Sequence, residues 1–270
     1  MGIKRRYFLQ NTGILLAGSS ALLNTPEQAQ TRPMTGRSTL ITNGDSELAQ
    51  VIAGELEQDR EVKLTGLTEV DSRFPYTCCE LGHDVATNDL VRGMDSIVHV
   101  ADFPPESHEF EYLDYLTRRT YNLLRAASEA SVRRVVFLST LEIMTDYDED
   151  FLVTEAWRPV PTTAPPVLAK HLGEYTCREF AREGKVQVVV LRLGKVVKEV
   201  QVKGQKLDPL WVEEREVAQS VAGALDVQLY DHSQGVSYWK IFHIQSEFPG
   251  ARFPVGAAKE TLGYKPWFKP

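Results

Sequence analysis

Short runs of apolar residues alternate along this chain with longer stretches in which apolar residues recur every three or four positions. Residues 38–42 form a short β-branched run, and residues 43–46 form a turn that ends in a serine suited to cap a helix. Residues 48–56 carry apolar side chains at helical spacing, and residues 61–65 again have the pattern of a strand. The pattern therefore predicts a strand, a helix and a second strand within thirty residues.

The same alternation continues through the middle of the chain. Residues 96–101, 134–139 and 186–192 are near-continuous apolar runs, and helices are predicted over residues 109–131 and 168–183. Strands that are apolar on both faces are typical of parallel sheets covered by helices on either side. The predicted fold class is therefore α/β, with a doubly wound parallel sheet built from right-handed βαβ units.

The first thirty residues have a different character. A charged start that contains Lys4, Arg5 and Arg6 precedes a weakly apolar stretch over residues 12–23 and a polar end. This order is the plan of a secretory signal, and an arginine pair followed by an aromatic residue resembles a twin-arginine export signal. We predict that residues 1–30 are an export signal and residues 31–37 a linker, which implies a periplasmic or other extracytoplasmic location.

Two alternatives for this segment stay open. It would instead be an N-terminal amphipathic helix if the arginine pair were accidental. Residues 27–29 make a poor cleavage site, and an uncleaved signal would tether the protein to a membrane. The apolar stretch is shorter than the about 20 residues that a helix needs to span a bilayer. We therefore expect membrane contact only through an uncleaved signal.

Composition and charge narrow the classes of partner. Of 270 residues, 43 % are hydrophobic and 25 % are charged, as in an ordinary soluble globular protein, and the net charge is −7. Removal of residues 1–30 takes away three cations and one anion, which leaves −9. No basic surplus is available to neutralise phosphates, so we expect no nucleic-acid partner. Cys78 and Cys79 are adjacent and lack the spacing of zinc ligands, so no metal site is predicted.

Several segments follow one another in an order that is typical of one known family. They are residues 94–101, 122–140, Thr154-Glu155 before a proline-rich loop, Lys170, residues 189–194, 211–218 and 262–266. Over residues 38–268 this series resembles the extended short-chain dehydrogenase/reductase family, in its NAD-dependent epimerase/dehydratase branch. The resemblance implies a Rossmann-like domain over residues 38–197 that binds NAD or NADP, and a reduced C-terminal substrate region over residues 198–270.

The turn that would hold the cofactor's phosphates is degenerate. Gly44 is the one glycine within residues 42–49, where the family has several. Asp45 and Glu47 place two carboxylates where a pyrophosphate would bind at a helix N-terminus, although both residues are also ordinary in helix caps. The cofactor-binding residues that the resemblance implies are Gly44, Asp84, Val85, Ala101 and Lys170.

The family's acid/base tyrosine is missing. By resemblance, Lys170 matches the lysine that lowers the tyrosine's pKa and binds a ribose, and Thr140 matches the residue that steadies the substrate oxygen. These two are the catalytic positions that the resemblance implies. Pro166 stands four residues before Lys170, where the tyrosine belongs, and it has no ionisable group. The segment after the last predicted strand is also short, and we predict only a small hairpin over residues 198–206.

Two main functions follow from these observations. The first is an exported, non-catalytic family-like protein that uses a Rossmann scaffold for binding or interaction; a purely structural envelope protein would differ only in binding no small molecule. The alternative is an active NAD(P)-dependent reductase or epimerase that acts on a sugar or nucleotide-sugar and uses an atypical acid/base. The expected partner is a dinucleotide or other small molecule. By resemblance, the helices over residues 109–131 and 168–183 would pair two copies into a homodimer.

Overall fold

The strands fall where the apolar runs predicted them, with a few additions. The computed structural model describes residues 37–100, 108–231, 235–236 and 238–269. The predicted export signal, nearly all of the predicted linker and Ala101 therefore lie outside the described residues. Within them, the strands are β1 (Ser38–Ile41), β2 (Glu61–Gly66), β3 (Tyr76–Cys78), β4 (Ser96–His99), β5 (Arg134–Thr140), β6 (Gln187–Leu193), β7 (Lys195–Val197), β8 (Trp211–Glu213), β9 (Tyr230–Asp231), β10 (Gly235–Val236) and β11 (Trp239–Ile244).

Seven of these strands form one parallel sheet in the order β3-β2-β1-β4-β5-β6-β11. The chain reverses its direction of growth at β1, since β2 and β3 lie on one side of it and β4, β5, β6 and β11 on the other. This is a doubly wound, Rossmann-like sheet, which confirms the predicted fold class. In such sheets the ligand crevice lies beyond the carboxyl ends of the strands.

Helices cover both faces of the sheet. They are α1 (Glu47–Leu56), α2 (Val85–Val91), α3 (Glu109–Asp114), α4 (Thr120–Glu129), α5 (Pro165–Arg182), α6 (Glu199–Val202), α7 (Glu214–Asp226) and α8 (Gly256–Leu262). The helix predicted over residues 109–131 is present, but a π-helical turn at Tyr115–Arg119 joins its two halves. None of the described helices is long and apolar enough to cross a membrane.

Successive strand residues point to opposite faces of the sheet, which divides the core into two layers. Ile41 and Val98 pack with the apolar sides of α1 and α7, whereas Leu40 and Ile97 pack with those of α4 and α5. All four are fully buried. Since burying one such side chain stabilises a fold by about 1.5–3 kcal/mol, the two layers dominate the stability of the sheet.

Two predicted elements need correction. Helix α5 begins at Pro165, three residues before its predicted start. Proline fits the first helical turn because the backbone N–H that it lacks would have no acceptor within the helix. The hairpin over residues 198–206 is wrong. Strand β7 pairs with β8 in parallel, and parallel strands cannot be joined by a tight turn, so the chain crosses over through α6 instead.

A buried carboxylate anchors the C-terminal segment. Glu216 on α7 is fully buried and accepts hydrogen bonds from the backbone N–H groups of Trp267 at 2.5 Å and Phe268 at 2.8 Å. The Tyr264 hydroxyl donates to the carbonyl oxygen of Gln245 at 3.0 Å. These bonds hold the last described residues against α7 and β11.

Candidate functional site

A cavity of about 240 Å³ opens at the carboxyl ends of β4, β5 and β6, and we refer to it as the strand-end cavity. Helices α1 and α5 complete its walls. Its polar and charged lining, together with one proline, consists of Ser139, Thr140, Glu142, Pro166, Lys170 and Lys195. The cavity therefore lies where a doubly wound sheet is expected to bind a ligand.

The structure brings Thr140 and Lys170 together on the wall of this cavity, as the resemblance implies. Lys170 lies on α5, one turn after Pro166, and its ammonium group donates to the carbonyl oxygen of Leu138 at 2.7 Å. Thr140 ends β5, and its hydroxyl oxygen accepts the backbone N–H of Glu142 at 3.2 Å. This contact begins a 3₁₀ turn at Leu141–Met144, which sets Glu142 beside the cavity.

Pro166 occupies the second position of α5 and is exposed at the cavity. Among the described residues that line the cavity, none is a tyrosine. The Tyr147 hydroxyl donates to the Arg158 carbonyl oxygen at 2.6 Å, and Tyr175 borders a different groove. The ionisable side chains on the cavity wall are instead Glu142, Lys170 and Lys195.

Close packing against β2 requires a glycine at position 44. A Cβ atom at Gly44 would lie 2.8 Å from the Cβ of Leu64, so glycine is needed there because the turn packs closely against β2. The left-handed position of the turn is occupied by Asn43, with φ 52°. Asparagine tolerates this conformation better than most residues, a signal that was present in the sequence but was not used.

Two of the turn's backbone N–H groups bond within the protein. The N–H of Gly44 bonds to the carbonyl oxygen of Thr65 at 2.8 Å, and that of Ser46 bonds to the carbonyl oxygen of Asn43 at 2.9 Å. The Ser46 hydroxyl caps α1 by accepting the N–H of Ala49 at 3.3 Å. Ser46 is therefore the N-cap of α1, as the turn pattern predicted, and Glu47 lies in the first turn of the helix, where an acidic residue is ordinary.

The two carboxylates of the turn have partners of their own. Asp45 accepts hydrogen bonds from the Asn43 amide at 3.1 Å and the Thr68 hydroxyl at 2.8 Å. Glu47 forms an ion pair with Lys198 at 2.6 Å, which raises the pKa of Lys198. A pyrophosphate placed at this turn would therefore lie beside the carboxylates of Asp45 and Glu47.

Asp84 and Val85 lie apart from the strand-end cavity. Asp84 caps α2 by accepting the N–H of Thr87 at 2.9 Å, and this bond holds the pKa of its carboxyl below the ordinary value. Val85 is 70 % exposed. The structure therefore gives Asp84 a local role as a helix cap, and it does not bring this pair to the wall that Thr140 and Lys170 share.

Three residues of the cavity were not singled out from the sequence. The Ser139 hydroxyl is buried and has no hydrogen-bond partner among the described residues. Glu142 reaches the cavity only because the 3₁₀ turn follows β5 directly. Lys195 opens β7 and pairs with Asp208 at 2.7 Å. Neither the turn nor β7 has a recognisable hydrophobic period, so their positions at the cavity could not be read from the pattern.

Comparisons with known proteins agree with this architecture. The chain matches the model of the NAD dependent epimerase/dehydratase family over residues 49–207. It is 23 % identical over 246 residues to the uncharacterized protein YtbQ of Bacillus subtilis (strain 168), which covers 85 % of this chain and 94 % of that protein.

Solved structures share its fold. A short-chain dehydrogenase/reductase superfamily protein from Agrobacterium tumefaciens with bound NAD is 18 % identical, with a TM-score of 0.70 over 86 % of this chain and 93 % of that one. UDP-N-acetylglucosamine 4-epimerase from Bacillus cereus is 17 % identical, with a TM-score of 0.68 over 86 % of this chain and 94 % of that one. At these identities the likeness establishes the fold.

Proposed function

The chain belongs to the NAD-dependent epimerase/dehydratase family, and we propose that it is a non-catalytic member that acts by binding a ligand in the strand-end cavity. The observation that carries this proposal is Pro166, which stands at the cavity one turn before Lys170. A positioned acid/base contributes about 10²- to 10⁴-fold to a reaction rate, and a proline cannot supply it. Thr140 and Lys170 remain as groups that contact a ligand.

A dinucleotide is the ligand that family membership and the NAD-bound relative support. When bound, NAD supplies a hydride donor or acceptor. We infer that Lys170 and Thr140 contact its nicotinamide riboside half, whereas Asp45 weakens the hold on its phosphates. Strand β2 ends in Thr65 and Gly66, which carry no charge. The end of this strand therefore does not select between NAD and NADP.

Catalysis is the second candidate, and Glu142 is the observation that favours it. Its carboxylate lines the same cavity as Thr140 and Lys170, so it could exchange a proton with a substrate hydroxyl. The reaction would then be an NAD(P)-dependent reduction or epimerisation of a sugar or nucleotide-sugar.

One set of measurements separates these functions. NADH and NADPH are titrated by fluorescence and calorimetry. Reduction is followed as the loss of NADH or NADPH absorbance with keto-sugars, and epimerisation of UDP-sugars in the presence of NAD is followed by chromatography of the products. We expect saturable but weak cofactor binding and no turnover by the wild type. If the wild type turns over a substrate and Glu142→Gln does not, the second candidate is established. If both proteins turn over the substrate, the non-catalytic proposal is still refuted, but Glu142 is not the acid/base.

Replacement of Pro166 by tyrosine tests whether only the acid has been lost. The side chain is exposed at the cavity, so Pro166→Tyr needs no repacking. Pro165→Tyr is the matched control, because Pro165 precedes it on α5 and does not line the cavity. Activity gained by the first variant alone would show that substrate binding persists, whereas no gain in either would show that the pocket has changed too.

We also propose that residues 1–30 direct export through a twin-arginine pathway, which rests on Arg5 and Arg6. The double variant Arg5→Lys, Arg6→Lys should remain in the cytoplasm of a bacterial host, while Lys4→Arg should be exported normally. Equal export of the double variant would contradict this proposal. Contact with a membrane is expected only where the signal stays uncleaved, and the net charge of −7 argues against a nucleic-acid partner.

A homodimer through α3, α4 and α5 is the remaining proposal. Phe110, Tyr121 and Leu172 on these helices are 83 %, 48 % and 37 % exposed, and a second copy packed on this side would remove their apolar surface from water. Sedimentation equilibrium should give twice the monomer mass, and the double variant Phe110→Ser, Leu172→Ser should lower it to the monomer mass. A monomeric wild type at 100 µM, a concentration of order 10⁻⁴ M at which weak pairs associate, would refute the proposal.

A further inference from the structure

A second and larger concavity lies away from the strand-end cavity, and we name it the outer groove. It has a volume of about 870 Å³ and runs between the loop of residues 155–161, one side of α5 and strand β11. The two concavities share no lining residue among those described. Sites for small molecules are typically about 300–1,000 Å³, so the outer groove is large enough for a ligand.

The outer groove carries an excess of positive charge at its walls. Arg192 and Glu174 form a buried ion pair within it, joined by two hydrogen bonds of 2.9 and 2.8 Å, and cancel one another. Arg158 and Arg178 are exposed at the groove and form no ion pair with another described residue. Glu155 is the one further carboxylate among the described lining residues, and it accepts the backbone N–H of His243 at 3.2 Å.

A histidine ring lies beside these cations. The Nδ1 atom of His171 is buried and has no hydrogen-bond partner among the described residues, although His171 lines the groove. Burial and the positive charges of Arg192 and Arg158 hold the pKa of His171 below its ordinary value, against the opposing effect of Glu174. An anion in the groove would gain a favourable field from Arg158 and Arg178.

Flat apolar surfaces line the rest of the groove. They are provided by Trp157, Tyr175 and Trp239. The Trp157 ring is held edge-on by Tyr147 with ring centroids 4.8 Å apart, and the Tyr175 ring lies edge-on to His171 at 5.2 Å. Aromatic side chains of this kind bind planar rings by stacking or edge contacts.

We propose that the outer groove binds an aromatic carboxylate, independently of any ligand in the strand-end cavity. The carboxylate would pair with Arg158 and Arg178. The aromatic ring would lie against the tryptophan and tyrosine surfaces. Arginine is suited to this task because its planar guanidinium group matches a carboxylate with two parallel hydrogen bonds.

Indole-3-acetate is a probe of this chemistry, and indole-3-acetamide has the same shape without the charge. Calorimetric titration should give saturable binding of the acid and at least about tenfold weaker binding of the amide, because the charge that pairs with both arginines is lost. Arg158→Gln and Arg178→Gln should each weaken binding of the acid by about tenfold. Both side chains are exposed, and thermal unfolding would confirm that the variants keep the wild-type fold.

Two control variants fix the location. Arg182→Gln removes an arginine that lies one turn beyond Arg178 on α5 and pairs with Glu179 outside the groove, so binding should not change. Lys195→Gln changes the charge of the strand-end cavity and should not change the binding of indole-3-acetate either. The proposal is overturned if indole-3-acetate does not bind at 10 mM, a concentration of order 10⁻² M. Equal binding of acid and amide, or weakening by Lys195→Gln but not by the groove variants, would overturn it as well.

Discussion

Two buried histidines should make the protein lose stability in mildly acidic solution. His243 on β11 is fully buried, and neither ring nitrogen has a hydrogen-bond partner among the described residues. Burial, with the charge of Arg192 beside it, lowers its pKa to about 3. His99 at the end of β4 lies between the hydroxyls of Thr42 and Thr120, each 2.9 Å from a ring nitrogen, and burial, with the charge of Lys170, also lowers its pKa to about 3.

The sign and the size of the effect follow from these values. In the unfolded chain a histidine has a pKa of about 6.5, so below that pH the unfolded state takes up protons that the folded state does not. Stability is therefore fully present above pH 6.5 and is lost progressively as the pH falls towards 3. At 1.36 kcal/mol per pKa unit, each histidine costs about 1.4 kcal/mol between pH 7.5 and pH 5.5, and the two together about 3 kcal/mol.

Urea unfolding at pH 7.5, 6.5 and 5.5 measures this loss. Most carboxylates remain ionised in this window, which isolates the histidines. His243→Met and His99→Gln should each reduce the loss by about 1.4 kcal/mol, even where they lower stability at pH 7.5. His83→Gln, at an exposed site, should leave the pH dependence as in the wild type. If the two core variants keep the wild-type slope of stability against pH, the reasoning from burial is refuted.

Two further predictions concern the turn after β1. Asp45→Asn and Glu47→Gln should each tighten NADH binding by about two- to fivefold, because each removes a negative charge near the phosphates. Fluorescence titration measures this gain, with Glu55→Gln, further along α1, as the control. If neither variant changes binding, the phosphates do not lie at this turn. Gly44→Ala should lower the free energy of unfolding by about 1–3 kcal/mol, because its Cβ would meet that of Leu64 at 2.8 Å. Gly256→Ala, with no atom within 4 Å of the new Cβ, should be neutral or slightly stabilising in the same urea experiment, and equal losses in both would contradict the packing argument.

The sequence predicted the strands and helices whose apolar residues keep one hydrophobic pattern along their whole length. Strands β1, β2, β4, β5 and β6 and helices α1, α4 and α5 have clear hydrophobic patterns, so their positions were correct to within a few residues. Strand β11 was missed because its six residues, Trp239–Ile244, carry a lysine and a histidine among apolar ones. The hairpin was wrong because the pairing of β7 with β8 depends on tertiary contacts that no local pattern records.

The candidate site depended on resemblance more than on pattern. Thr140 and Lys170 are thirty positions apart and come from a strand and a helix, and family likeness placed them together. The close approach of Gly44 to Leu64 could not be predicted from the sequence, because it depends on how the turn packs against β2. The outer groove draws on a loop, a helix and the edge strand, so no segment of the sequence carried a signal for it.

The departures from the family pattern are each accommodated without strain, and this supports the non-catalytic proposal. Pro166 lies in the first turn of α5, where proline is favourable, and Asp45 and Glu47 each have a hydrogen-bond or ion-pair partner. These changes affect a ligand and leave the two apolar layers of the core untouched. By contrast, Arg158 and Arg178 stay unpaired with described residues at the outer groove of a protein that carries seven more negative than positive charges. Their place on one groove beside aromatic side chains is the observation on which the proposed carboxylate site rests.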